Sequence, residues 1–258
     1  MYAKKKPSVG MSSLASGLFL RILRAVQCLS AEERAHLYRF HKALDLDRSV
    51  KYLVWFMRQC ESKLKLLRTA HELISQQSYG SVGVDQICEQ SGVKKGSFYH
   101  FFRSKSELTV AAYEYHWAGL QETLDRVFAA EKPPLDRLDD YFSHVVHSQT
   151  DRCQRYGRLL GCPFVSLGCE LSTQDESIRL MAQKIGEGKR AYLENALGEA
   201  IARGDISASD PKALAGELHT YIAGLVQEAK IANDVRVLDR LKSGAYRLLG
   251  LQLTPTAV

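Results

Sequence analysis

"SGVKKGSFYHFFRSKSEL", residues 91–108, sets a glycine turn, three lysines, one arginine and four aromatic residues within eighteen positions. Aromatic side chains favour burial and lysines favour water or an anion, so the segment needs two different faces. Helical spacing supplies them. Phe98 and Phe102 stand at i and i+4 and share an inward face with Ile87 and Val93, while Lys95, Ser97, Tyr99 and His100 fall on the other side. Upstream, "VDQICEQSGV" (84–93) reads as two turns of helix ending at Gly92, where a tight turn needs a permissive backbone. Downstream, Ser104-Lys105-Ser106-Glu107 has capping-box spacing and opens a long helix through Trp117 towards Phe128. Helix, glycine turn and short helix between longer neighbours is the helix-turn-helix plan. The outer face suits a major groove, with Ser, Tyr and Lys matched to phosphates and base edges. Lys105 sits where its charge and the free N–H groups of a helix start both meet a phosphate.

The remaining chain also reads as helix, since no stretch alternates with period two beside a hairpin turn. The fold class is therefore all-α. Ser30-Ala31-Glu32-Glu33 has capping-box spacing and predicts a helix to about Leu44, followed by a short one over Val50–Met57. From Ser62, Leu64, Leu67, His71 and Ile74, with Leu66, Ala70 and Leu73 beside them, predict an amphipathic helix that stops near Ser78-Tyr79-Gly80. Pro133-Pro134 forces a break. Beyond it, helices are predicted over about 135–151, 163–170, 174–202, 211–231 and 235–250, with Asp210-Pro211 as an N-cap and first-turn proline. "ARGDISAS" is a loop by composition.

Charge divides the chain. Residues 1–57 carry ten Lys/Arg against four Asp/Glu, residues 58–117 eight against six, and residues 118–258 seventeen against nineteen. The basic part is the part expected to meet a polyanion. The six cysteines form no C-x-x-C pair, which argues against a zinc site and a disulfide scaffold and predicts free thiols in a cytoplasmic protein. No apolar run approaches the about 20 residues that span a bilayer. "LASGLFL" (14–20) is short, ends at Arg21 and lacks a cleavage site, so neither a signal peptide nor a membrane partner is expected. There is no phosphate loop, H-E-x-x-H pair or G-x-S-x-G elbow, and an enzyme is not expected. His144 and His147 share one helix face without an evident carboxylate, so no metal or other cofactor is predicted.

"YGSVGVDQICEQSGVKKGSFYHFFRSKSEL" (79–108) resembles the DNA-binding domain of the TetR/AcrR family of bacterial transcriptional regulators, most closely from Gly92 to Lys105. A weaker resemblance, "GCPFVSLGCELS" (161–172), is to the short sixth helix of many members. The resemblance implies phosphate contacts at Tyr99 and Lys105 and a major-groove helix from Lys95 to Phe101. Lys94, Lys95, Gly96, Ser97, Tyr99, His100 and Lys105 are thus the candidate contacts to a double-stranded operator. Two positions depart from the family pattern: Gly83 and Lys94 stand where a Ser or Thr usually caps the second and recognition helices. Residues 1–57 are the larger departure. Either Met57 is the true start, or the segment is a basic extension whose Lys4–Lys6, Arg21 and Arg24 add non-specific DNA affinity. Residues 58–117 would then form the DNA-binding domain and residues 118–258 a helical effector and dimerisation domain.

One helix-turn-helix contacts too little DNA for specificity, so a homodimer reading two half-sites is expected. Helices 211–231 and 235–250 are the candidates for its interface. The first carries Ala215, Gly216, Thr220, Ala223 and Gly224 beside Leu214, Leu218, Ile222 and Leu225, and the second Leu238, Leu241, Tyr246 and Leu249. An intrachain core role is the alternative for both. The family resemblance further implies a pocket for an unknown small-molecule effector among helices 104–202, with Phe142, His144, His147, Phe164 and Tyr192 as candidate lining. Cys162, in Gly161-Cys162-Pro163 at a helix start, occupies a position that lowers a thiol pKa. It is either a redox or electrophile sensor or an inert core cysteine. Some relatives with a similar run sense oxidants or electrophiles there, and the "EAKI" run (228–231) offers Lys230 as a cationic neighbour. The function that follows is a repressor released from its operator by a small molecule or by cysteine modification.

Overall fold

The structure, a computed structural model, describes residues 46–252, with side chains from residue 58 onward. The predicted capping box at Ser30 and the basic residues Lys4–Lys6, Arg21 and Arg24 lie outside the described residues. Among the described residues every regular element is helical. The chain order is α1 (Leu46–Gln76), α2 (Val84–Ser91), α3 (Lys95–Phe101), α4 (Lys105–Val127), α5 (Pro134–Tyr156), α6 (Pro163–Leu171), α7 (Glu176–Ala202), α8 (Pro211–Ala232), a 3₁₀ turn (Val235–Arg240) and α9 (Leu241–Leu248).

Two predicted boundaries are corrected. The helices expected over Val50–Met57 and from Ser62 are one continuous helix, α1. The polar residues between them do not end it, because no Gly or Pro interrupts Leu46–Gln76. The helix expected over 235–250 instead begins as a tight 3₁₀ segment. Asn233 first turns the chain at φ 49°, Asp234 caps the Arg236 N–H, and only eight residues of α-helix follow. Three other starts carry a side-chain cap. Ser104 accepts from the Glu107 N–H, Asp175 from Ser177 and Ile178, and Asp210 from Lys212 and Ala213.

One hydrophobic core runs from the helix-turn-helix into the larger body. At the amino-terminal end Leu66, Ile87, Phe98 and Leu108 are wholly buried, tying α1, α2, α3 and α4 together. Helix α4 continues into the body, where Tyr113 and Trp117 meet Phe164 of α6 edge-to-face at 5.9 and 6.2 Å. Helices α7 and α8 form the far wall. Tyr221 of α8 packs so closely on Gly244 of α9 that a Cβ there would lie 1.9 Å from its hydroxyl, so any larger residue must displace the tyrosine ring. Arg137, 5% exposed, seals the turn before α5 by donating to the Lys132 and Ala130 carbonyls and to Glu199 Oε1 at 2.9 Å.

Candidate functional site

The recognition segment has the two faces its sequence predicts. Phe98, Phe102, Ile87 and Val93 are buried, whereas Lys94, Lys95, Gly96, Tyr99 and His100 are exposed and Ser97 is half-buried. Tyr99 keeps 54% of its surface, unusual for so large a ring and consistent with an outward contact. Gly92 adopts φ 67°, and its N–H closes α2 on Cys88 and Glu89. Gly83 and Lys94 occupy the N-cap positions of α2 and α3 with extended backbones and no side-chain bond, as their sequence departures imply.

Two of the predicted DNA-contacting lysines have protein partners. Lys95 pairs with Asp85 at 2.6 Å, but both side chains are largely exposed, so water or a phosphate replaces the carboxylate at little cost. Lys105 is committed more deeply. Its Nζ donates to the Tyr79 and Val82 carbonyls at 2.9 and 3.0 Å and lies 3.9 Å from the Tyr79 ring centroid. Burial lowers its pKa, with Glu170 acting in the opposite direction. The sequence assigned Lys105 to phosphate alone; its ammonium also pins the turn between α1 and α2.

That turn is held from the body as well. Glu170, near the end of α6, accepts the Tyr79 N–H at 3.1 Å and the Gly80 N–H at 2.9 Å. Ser106 of α4 donates to Asp175 at 2.5 Å, just beyond the same helix. Burial alone would raise the Asp175 carboxyl, but hydrogen bonds from Ser106, Ser177 and the α7 N–H groups hold it below the ordinary range. Helix α6 therefore connects mechanically to the helix-turn-helix at its carboxyl end.

At its amino end α6 meets a cavity of about 480 Å³ bounded by α1, α4, α5, α6, α7 and α8. Of the predicted effector and redox residues, Cys162, His144 and Phe164 line it. Phe142 is buried beside Tyr141, away from the cavity wall. His147 is exposed and 3.2 Å from Asp151, so the two histidines of one helix face part company. Tyr192 donates to Asp125 and stacks near Phe128 instead. Lys230 is not the neighbour of the Cys162 thiol: its Nζ donates to Ser166 Oγ at 3.0 Å, and its stem packs on Gly161. The cation at the thiol is Lys189, 3.5 Å from Sγ and 4.5 Å from the Phe164 ring centroid. Burial alone would raise the thiol, but Lys189 and the Val165 and Phe164 N–H groups bring its pKa below the ordinary value.

Sequence reasoning missed most of this wall. His71 and His116 stack at 3.8 Å. Burial, then the charges around it, pushes His71 down to about 2 and His116 to about 4, so both are neutral at pH 7. His219 is likewise held at about 4. Arg152 of α5 reaches across to donate to the Gly161 carbonyl at 2.9 Å. His71 was read as one member of an amphipathic stripe; the cavity gathers residues more than a hundred positions apart, which no local period reports.

Each of the two helices predicted for the dimer interface also carries leucines that belong to the chain's own core. Leu218, Ile222 and Leu225 of α8, with Leu238, Leu241 and Leu249, are buried within the chain, and Tyr246 donates to Asp139. The exposed face of α8 carries Thr220, Gly224 and Ile231, the last 86% exposed.

A helix-turn-helix head fused to an all-α body with a ligand-sized cavity defines a DNA-binding protein of the regulator class. Residues 66–112 match the family model for bacterial regulatory proteins of the tetR family, and residues 134–245 match that for the tetracyclin repressor-like C-terminal domain. The transcriptional regulator AcuR of Cereibacter sphaeroides is 32% identical over 168 residues, covering 64% of this chain and 75% of that protein. The HTH-type transcriptional repressor NemR of Escherichia coli K12 is 28% identical over 181 residues, covering 69% and 89%. The crystal structure of the reduced form of E. coli NemR superposes with a TM-score of 0.65 at 26% identity, over 76% of this chain and 99% of that one. The chain belongs to the TetR family, and it is a DNA-binding transcriptional regulator. No helix among the described residues is long and apolar enough to cross a membrane.

Proposed function

We propose that this chain is a dimeric repressor that leaves its operator when a small molecule fills the cavity or when an oxidant or electrophile modifies Cys162. The observation that carries the proposal is the double attachment of α6. Cys162, at its N-cap, faces the cavity, and eight residues on Glu170 holds the turn that leads into the helix-turn-helix. A shift of α6 by an occupant thus moves the segment that positions α3, provided the occupant favours one state over the other. Lys94, Lys95, Gly96, Ser97, Tyr99 and His100 form the operator contact, with Lys105 placing the helix start against a phosphate. The exposed small-residue face of α8 supports pairing of two copies, which sets two recognition helices one turn of DNA apart.

The test is operator release measured by anisotropy before and after treatment with hydrogen peroxide and, separately, N-ethylmaleimide. Mass spectrometry locates the modification, since Cys169 is exposed while Cys162 is half-buried. Release in the native chain and retention in Cys162→Ser is the expected result. Equal release in both would remove the thiol from the mechanism.

A further inference from the structure

The cavity wall carries an unbalanced charge. Arg152 and Lys189 are half-buried, and neither has a carboxylate within ion-pair distance among the described residues. Arg68 and Arg155, both exposed, border the same cavity, and its one acidic residue, Glu72, accepts from Tyr156 at 2.9 Å. Even with Cys162 ionised, four cations face two anions. A cation removed from water without a counter-charge is costly, and that cost falls when an anion enters. Gln149 adds a second, independent sign. Its side chain faces the cavity at 6% exposure, and its Oε1 is buried without a partner. Its amide can turn to present N–H groups to an acceptor. The electrostatic consequence is visible in the neighbouring imidazoles: after burial, the charges of Arg152 and Lys189 are what hold His116 down. The rest of the wall, including Leu67, Leu124, Val145 and Ile222, is apolar.

We infer that the cavity binds an organic carboxylate, its head group held by Arg152, Lys189 and Gln149 and its hydrocarbon body against the apolar wall. The inference rests on the effector reading for its consequence and on the wall itself for its chemistry. A guanidinium offers paired N–H donors to the two carboxylate oxygens, and Lys189 adds a point charge.

Calorimetry and thermal unfolding of the 258-residue chain test it, using straight-chain acids from butanoate to decanoate and benzoate, each against its primary amide. At least one acid is expected to raise Tm and to bind about tenfold or more tightly than its amide, the scale of a charge-assisted hydrogen bond. Lys189→Met, which leaves every backbone bond in place, should erase that preference. Arg152→Gln should do the same, but it also removes the bond to Gly161, so Lys189→Met decides the matter if Arg152→Gln fails to fold. Amides binding as tightly as acids, or no acid binding, would overturn the inference. Operator anisotropy on the same samples separates the two readings. A Lys189-dependent carboxylate that leaves operator affinity unchanged would uphold the anion site and overturn the effector role.

Discussion

The recognition segment and the cavity wall are built from the same residue types, lysine, histidine, tyrosine and phenylalanine, held in opposite physical states. On α3 the polar groups face water: Lys95 meets Asp85 in a solvated pair, and Tyr99 and His100 project outward. In the cavity they are desolvated. His71 and His116 are kept neutral, and Arg152 and Lys189 carry charge without a carboxylate. The first arrangement exchanges partners at little cost, which suits a surface that must find and leave DNA. The second makes each unpaired group expensive, which suits a site that responds strongly to the one molecule that pairs it. Helix α6 and the Glu170 clamp join the two.

The contrast can be broken by substitution, beginning with the largest effect. Phe98→Ala, at a wholly buried position, should destabilise the chain by about 3–5 kcal/mol and abolish operator binding through loss of fold. Chemical denaturation measures it, and a change below about 1 kcal/mol would mean that α3 is not anchored as described.

Acid should act on the cavity first. The folded pKa values of His71, His116 and His219 lie below the ordinary 6.5. The unfolded chain therefore binds more protons below that pH, and stability falls as pH drops from about 6.5 towards 4. Each such histidine contributes a slope of up to about 1.4 kcal/mol per pH unit. Tm measured from pH 7 to 4.5 should fall less steeply in His71→Phe than in the native chain. Parallel curves would show that His71 is not held neutral by the fold.

Lysine substitutions divide the two roles on one motif. Lys105→Met removes two bonds to backbone carbonyls and should cost about 1–2 kcal/mol of stability, read by denaturation. Lys95→Gln should leave Tm unchanged and lower the slope of log K against log salt by about 1 per subunit if its ammonium moves to a phosphate. An unchanged slope would keep Lys95 with Asp85 and off the DNA.

The reach of sequence reasoning follows the same division. The helix-turn-helix was legible because its signals are local: Phe98 and Phe102 one turn apart, Gly92 at a left-handed turn, and the Ser104 cap. Cys162 was legible for the same reason, since a helix start is a local fact. Its partner was not. Lys189 is twenty-seven residues away on α7, and the family resemblance pointed to Lys230, which bonds Ser166 instead. Gly188 could have drawn attention to that stretch, because a Cβ there would lie 2.6 Å from the Trp117 ring, yet a helical glycine alone does not announce its neighbour. The leucines of the last helical segment satisfied a dimer pattern and a core pattern equally, and only their burial distinguishes the two.

The most direct measurement is fluorescence anisotropy of the 258-residue chain against duplex DNA from its own upstream region and a shuffled duplex, across a salt titration. The expected result is a preference for the native duplex of about 10³-fold or more, with a steep salt dependence, and weaker binding by Tyr99→Ala at unchanged Tm. Equal, weak binding to both duplexes, unaffected by Tyr99→Ala, would contradict the assignment of α3 as the helix that reads DNA.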